Sequence, residues 1–271
     1  MLTRHECVRL LLAVGLTLCS GVVAAAGMRV LPLRLDINPK TRLATLELTN
    51  LASLDMGVQM DAKAWHQEAG ADIYTDTQDL FFAPPIFAIP AGKTRTVRFR
   101  LKRGADLSRE LAYRVYAQQI AVPPGMGDPG AAAMAGGVEV KLRFGIPLFV
   151  AAIEAKPPVL EARLVKDASG FSLRLRNSGG THLKVFSAQV LSQSDDTVFA
   201  ETQKSATDTN YLLPDNGSDW PLHQPGKAEA VALAAGTYRV RIKTDYYANP
   251  NRRDEAFGAD GSLTTNLTLA P

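Results

Sequence analysis

Hydrophobic and polar residues alternate along this chain with a period of two, the signature of strands half-buried in a sheet. Ala44, Leu46 and Leu48 interleave with Thr45, Glu47 and Thr49; Val58, Met60, Ala62 and Ala64 recur through MGVQMDAKAW; Val97, Phe99 and Leu101 alternate with Arg98 and Arg100. A longer strand is expected over LAYRVYAQQIAV at 111–122. Others are expected at Phe171, Leu173 and Leu175, at Phe186, Ala188 and Val190, at Tyr238, Val240 and Ile242, and around Leu263 and Leu267. No long stretch carries the period of an amphipathic helix. The cleanest alternation is VEVKLRFGIPLF at 138–149, where Val138, Val140, Leu142, Phe144, Ile146 and Leu148 share one face and Glu139, Lys141 and Arg143 the other. It is also the oddest strand: it follows the loose tract PPGMGDPGAAAMAGG and contains Gly145 and Pro147, which weaken a central strand. Its apolar face fills either the protein's own core or a partner's.

Turn chemistry separates these strands: Asn38-Pro39, Ala83-Pro84-Pro85, Pro90-Ala91-Gly92 and Pro123-Pro124-Gly125. A second kind of break, Ala155-Lys156-Pro157-Pro158, resists both helix and sheet and reads as a short linker. The expected fold is therefore all-β, with one sandwich domain over 27–154 and another over 155–271, each within the size range of immunoglobulin-like sandwiches.

The first 26 residues differ. Arg4 and Arg9 precede an apolar run from Leu10 to about Leu18, and Ala24-Ala25-Ala26 offers a small-residue cleavage site, as in a secretory signal. The run is shorter than the roughly 20 residues a membrane span needs, so the mature chain is expected to be exported and to carry no span. Both cysteines, Cys7 and Cys19, lie in this segment, so the mature chain must fold by packing alone. The chain has 271 residues, 46% of them hydrophobic, and a formal net charge of +3 without a Lys/Arg block, which argues against a nucleic-acid partner.

Chemistry is sparse. His66, His182 and His223 are widely spaced and match no metal motif, and no nucleophile elbow, P-loop or dinucleotide fingerprint occurs. Asp195-Asp196 and Asp254-Glu255 are adjacent acids of the kind that sit solvated on loops. The expectation is a protein that is not an enzyme and needs no metal or cofactor. Trp65 and Trp220 are either core tryptophans or platforms for stacking carbohydrate.

Five segments, in order, resemble the PapD-like family of periplasmic pilus chaperones. RVLPLRLDINPKTRLATLELTN is similar to the family's opening strand, turn and second strand with its closing Asn; FFAPPIFAIPAGKTRTVRFRL is similar to its Pro-containing segment, Pro-x-Gly turn and Val-Arg strand. LSRELAYRVYAQQIAVPP resembles the Arg-Glu, aromatic strand and Ile-x-x-Pro signature, RFGIPLF its last strand, and RLRNSGGTHLKV the start of its second domain. The likeness spans residues 28 to about 190. The RxxIPLF and YR pairing is closer to the divergent branch called archaic or spore-coat-like.

The resemblance implies two immunoglobulin-like domains flanking a cleft, a periplasmic location, and pilus, fimbrial or spore-coat-like subunits and an outer-membrane usher as partners. It implies that the chaperone lends a strand to an incomplete subunit, a form of β-augmentation. Val138, Val140, Leu142 and Phe144 are then the donor residues, and each apolar side chain so buried contributes about 1.5–3 kcal/mol. It also implies that basic residues in the cleft between the domains anchor the subunit's C-terminal carboxylate. Arg34 falls at the family's first anchor arginine, while Pro147 replaces the usual second anchor, a lysine. Arg143 on the same strand and Arg114 on its expected neighbour are the substitutes, guanidinium being suited to bidentate carboxylate binding. The competing reading is a secreted carbohydrate-binding or adhesin-type module.

Overall fold

The computed structural model describes residues 27–127, 140–167, 170–202, 210–246, 257 and 260–269. Ten strands precede the proline pair: β1 (Met28–Leu31), β2 (Leu35–Ile37), β3 (Leu43–Asn50), β4 (Met56–Glu68), β5 (Ala71–Asp76), β6 (Leu80–Ala83), β7 (Ile86–Ile89), β8 (Thr94–Leu101), β9 (Leu111–Ile120) and β10 (Arg143–Val150). Eight follow: β11 (Leu160–Asp167), β12 (Gly170–Asn177), β13 (Leu183–Leu191), β14 (Val198–Thr202), β15 (Tyr211–Leu212), β16 (Gly217–His223), β17 (Gly236–Thr244) and β18 (Ser262–Leu269).

The first ten make two sheets. β1, β3, β8 and β6 lie side by side in one; β2, β10, β9, β4 and β5 do so in the other, with β7 beside β4. Between them lies a core in which Leu46, Val58, Phe99, Val115 and Leu148 are fully buried, so the alternation of each strand is the partition between core and solvent. The second group runs β11, β12, β16, β14, β13, β17, β18, with β15 against β13 and β11 returning to touch β18 around Leu173, Val190, Trp220 and Ile242. The architecture is all-β, in two immunoglobulin-like lobes.

One strand breaks its pattern. Phe186, expected in the core with Ala188 and Val190, is 48% exposed. The pairing of β13 with β17 slips between Val185 and Ser187, and the extra residue turns Val185 inward and Phe186 out, as a bulge does.

β4 is long enough to leave its own sandwich. Its hairpin with β5 turns at Ala69 and Gly70, both at positive φ (49° and 83°), the backbone of a tight hairpin turn whose twist matches the strands. Just before the turn, Gln67 donates to the Tyr211 carbonyl (2.9 Å) and accepts from the Leu213 amide (3.0 Å) in the other lobe. Two further polar contacts join the lobes, Glu110 to His182 and Arg34 to Asp245. Among them Trp65, Phe149, Tyr211 and Leu213 form a buried apolar cluster drawn from both lobes.

Candidate functional site

Among the described residues, β10 has one free edge. It pairs antiparallel with β9 from Arg143↔Gln118 to Val150↔Leu111, but on its other side the parallel strand β2 covers only Leu148 to Val150. The Gln119 amide donates to the Leu142 carbonyl and the Ala151 amide to the Ile37 carbonyl. Even-numbered residues therefore turn their backbone groups toward β9, and odd-numbered ones toward β2 and, upstream of it, toward the free edge. Arg143, Gly145 and Pro147 are odd. Pro147 thus lacks its N–H where no ladder bond of β10 with β9 is lost, which explains how a proline sits in this strand.

The same odd residues share the outward face of the sheet with Arg114, Tyr116 and Gln118 of β9. Here the sequence builds a row of cations on rings. The Arg143 guanidinium lies 4.1 Å from the centre of Tyr116, Tyr116 meets Tyr74 edge-on at 6.4 Å, and Arg114 lies over Tyr74 (6.0 Å) and Trp65 (5.3 Å). Each such contact is worth about 0.5–1 kcal/mol where exposed. Burial pushes the Tyr74 phenol up to about 12, against the opposing pull of Arg114. Trp65 then meets Tyr211 edge-on at 5.7 Å, the ring beside Arg34. Among the described residues no carboxylate pairs with Arg114 or Arg143.

Arg34 differs. Immediately before β2, its Nε donates to Asp36 at 3.0 Å and its Nη1 to Asp245 of the other lobe at 2.9 Å, while Asp245 also accepts the Lys184 amide at 2.7 Å. So the three expected anchor arginines lie along one aromatic seam, two without an acid and one already matched by two. A cleft of about 960 Å³ between the lobes is lined by Trp65, Glu110, Tyr113, Lys156, Gly179 and Asp215 among others, and none of the three arginines lines it. Arg114 reaches its wall only by stacking on Trp65.

Of the expected donor residues, Val140 is 60% exposed. Leu142 and Phe144 are half-buried against the protein's own first core, and Val138 lies outside the described residues, as do residues 1–26 and the pair Asp254-Glu255. Neither tryptophan offers a face to a sugar: Trp65 is 4% exposed and Trp220 1%. Asp196 is occupied by Arg239 and Arg241. Among the described residues no group of His, Cys, Asp and Glu is placed to hold a metal, and no helix is long and apolar enough to cross a membrane.

Sequence reasoning missed the rings under the arginines. One signal was available: in AYRVYAQ, Tyr113, Val115 and Ala117 point inward, so Arg114 and Tyr116 must share the outer face. Tyr74 and Trp65 reach the same face by cross-strand pairing, Trp65↔Tyr74 in register, which no local pattern announces.

Residues 27–152 match the family model described as pili and flagellar-assembly chaperone, PapD N-terminal domain. No curated protein matches the chain in sequence. Among solved structures, the chain is similar to one in the CsuC–CsuE chaperone–tip adhesion subunit pre-assembly complex from the archaic chaperone–usher Csu pili of Acinetobacter baumannii. That match has 16% identity and a TM-score of 0.59, covering 89% of this chain and 98% of that one. The Pseudomonas aeruginosa CupB2 chaperone matches at 14% identity and TM-score 0.55 (89% and 100% covered), and the E. coli chaperone DraB at 17% and 0.52 (91% and 98%).

Proposed function

Residues 27–152 being a PapD N-terminal domain, the chain belongs to that family of pilus chaperones, and we propose that it holds pilus or fimbrial subunits by lending them β10 and its lead-in. It is a periplasmic, non-enzymatic chaperone that passes its cargo to an outer-membrane usher. Residues 1–26 are the export signal, and 27–154 and 155–271 the two domains. Val138, Val140, Leu142 and Phe144 form the apolar row of the lent strand. Arg114 and Arg143 receive the subunit's terminal carboxylate, and Arg34 closes the end of the track while bracing the lobes through Asp245.

The observation that supports this reading is that, among the described residues, the edge of β10 is unpaired and lies beside two arginines with no acid partner. A free edge is normally a liability; placed next to spare guanidinium groups, it is a dock for a strand that ends there. Co-expression with a candidate subunit in a periplasm tests it. Val140→Glu and Arg114→Ala should each lower the yield of soluble subunit, and equal yields for wild type and both variants would overturn the reading.

A further inference from the structure

The outer face of the β1–β3–β8–β6 sheet carries cations that the fold itself does not use. On β8, Val97, Phe99 and Leu101 point into the core, so Arg98 and Arg100 point out. An acid on a neighbouring strand would stabilise each of them. Arg98 instead lies between Thr45 of β3 and Ala83 of β6, and Arg100 between Leu43 and Phe81. Lys102 and Arg103 follow in the turn that leaves β8. That turn is tied to β3, because the Leu101 amide donates to the Arg42 carbonyl and the Arg42 guanidinium to the Lys102 carbonyl. Among the described residues, the side chains of Arg98, Arg100, Lys102 and Arg103 have no hydrogen bond, ion pair or ring contact.

The acids close by are few and engaged elsewhere. Among the described residues of the four strands Glu47 is the one acid, and it stands opposite Thr96. Asp79 accepts the Tyr113 phenol at 2.8 Å, and Asp106 the Ser108 amide at 2.9 Å. Hydrocarbon shares the face with the spare charge: Leu43 and Phe81, either side of Arg100 in one cross-strand row, are both exposed.

We propose that this face docks the chaperone on an anionic lipid bilayer, its cations meeting phosphate headgroups while Phe81 and Leu43 enter the interfacial layer. Each Lys or Arg near such a surface adds an attraction that salt screens. Apolar side chains flanked by cations are the kind that settle at this depth. A bilayer also suits the shape, since lipids pack against an extended sheet face as they find it, whereas a protein partner must be complementary to it. β10 belongs to the other sheet, so a docked chaperone keeps its lending edge free. The proposal stands independently of the strand-lending reading.

Vesicle flotation tests it, comparing pure phosphatidylcholine with phosphatidylcholine containing about one-third phosphatidylglycerol, in roughly 0.1 M salt. Wild-type protein should float with the anionic vesicles at least tenfold more than with the neutral ones, and should leave them when salt is raised to about 0.5 M. The double variant Arg98→Gln/Arg100→Gln should lose at least tenfold of that partitioning, and Phe81→Ser at least threefold. Arg98→Lys/Arg100→Lys, which keeps the charge, should float as wild type does; its failure would indicate a fitted guanidinium site on a protein partner and overturn the lipid assignment. Wild type that does not float with anionic vesicles, or a glutamine variant that floats undiminished, would overturn the proposal. In Phe81→Trp, anionic vesicles should shift tryptophan emission to the blue. Unshifted emission, or undiminished flotation of Phe81→Ser, would overturn the insertion of this face.

Discussion

The imidazole of His182 lies flat on the ring of Phe149, 3.4 Å centre to centre and 9° from parallel. The stack joins the residue just before one lobe's β13 to the last strand of the other, on the face of β10 next to the arginine row. Glu110 secures it, one carboxylate oxygen accepting both the His182 amide (2.8 Å) and its ring Nδ1 (2.9 Å). With both side chains buried, removing one partner leaves the other without compensation. Glu110→Ala should therefore cost about 2–4 kcal/mol in urea unfolding, and Glu110→Gln, which keeps an acceptor for the amide, clearly less. Equal costs would mean that the charge, and not the hydrogen bonds, holds the clasp.

Two buried asparagines do the same work in the two lobes. Asn50 at the end of β3 donates to the Leu54 and Ile89 carbonyls and accepts the Ala52 amide. Asn177 at the end of β12 donates to the Thr181 and Leu212 carbonyls and accepts the Val159 and Gly179 amides. Each satisfies loop backbone that would otherwise be buried unpaired, so Asn→Ala at either site should cost about 3 kcal/mol. Asn→Asp should also destabilise, because a carboxylate cannot donate to the two carbonyls. Thermal unfolding of the single variants checks both, and a shift of less than 2 °C in either Ala variant would remove the residue from this role.

These asparagines show what was legible in the chain and what was not. Strand alternation, turn residues and the closing Asn are local, and Leu46, Val58, Phe99 and Ile242 lie where their period put them. Phe186 does not, because a bulge is a property of the pairing with β17 and leaves no local mark. The three arginines were each visible, but the acids on Arg34 could not be: Asp245 is 211 residues away and arrives only when the lobes close. Likewise the open edge of β10 depends on β2 beginning only at Leu35, opposite Leu148, a fact of topology that periodicity does not carry.

Two tyrosines, Tyr74 beside the arginine row and Tyr113 on the core face of β9, set an alkaline limit. Burial holds the Tyr74 phenol at about 12, against an ordinary value of about 10. Burial, with the hydrogen bond to Asp79, also raises Tyr113. In this window the folded chain keeps protons that the unfolded chain has released, so stability is complete below about pH 10 and falls as pH rises toward 12. Urea midpoints at pH 8, 9.5 and 11 should decline for wild type and decline less for Tyr74→Phe, which keeps the ring under Arg114. An unchanged decline in both Tyr74→Phe and Tyr113→Phe would place the titrating groups elsewhere.

The linker between the lobes rests on a glycine for reasons of space alone. Gly179 has no positive φ among the described backbone, yet a Cβ on it would lie 2.3 Å from both the Pro157 carbonyl oxygen and the Val159 nitrogen. Those atoms are backbone and cannot swing aside, so Gly179→Ala must push the linker off and break the bonds Ser178 N–H to Val159 O and Gly180 N–H to Pro157 O. Gly92 is the opposite case, at φ 70° with nothing within 4 Å, where alanine meets only backbone strain of about 1–2 kcal/mol. Both variants should lose stability, but only Gly179→Ala should change how the lobes sit. Small-angle scattering should show a larger radius of gyration for Gly179→Ala and an unaltered one for Gly92→Ala. Hydrogen exchange at Ser178 and Gly180 should rise in the former alone. If scattering from a destabilised Gly179→Ala matches wild type, the lobe arrangement is held by the three polar clasps at Gln67, Glu110 and Arg34, and the linker follows it.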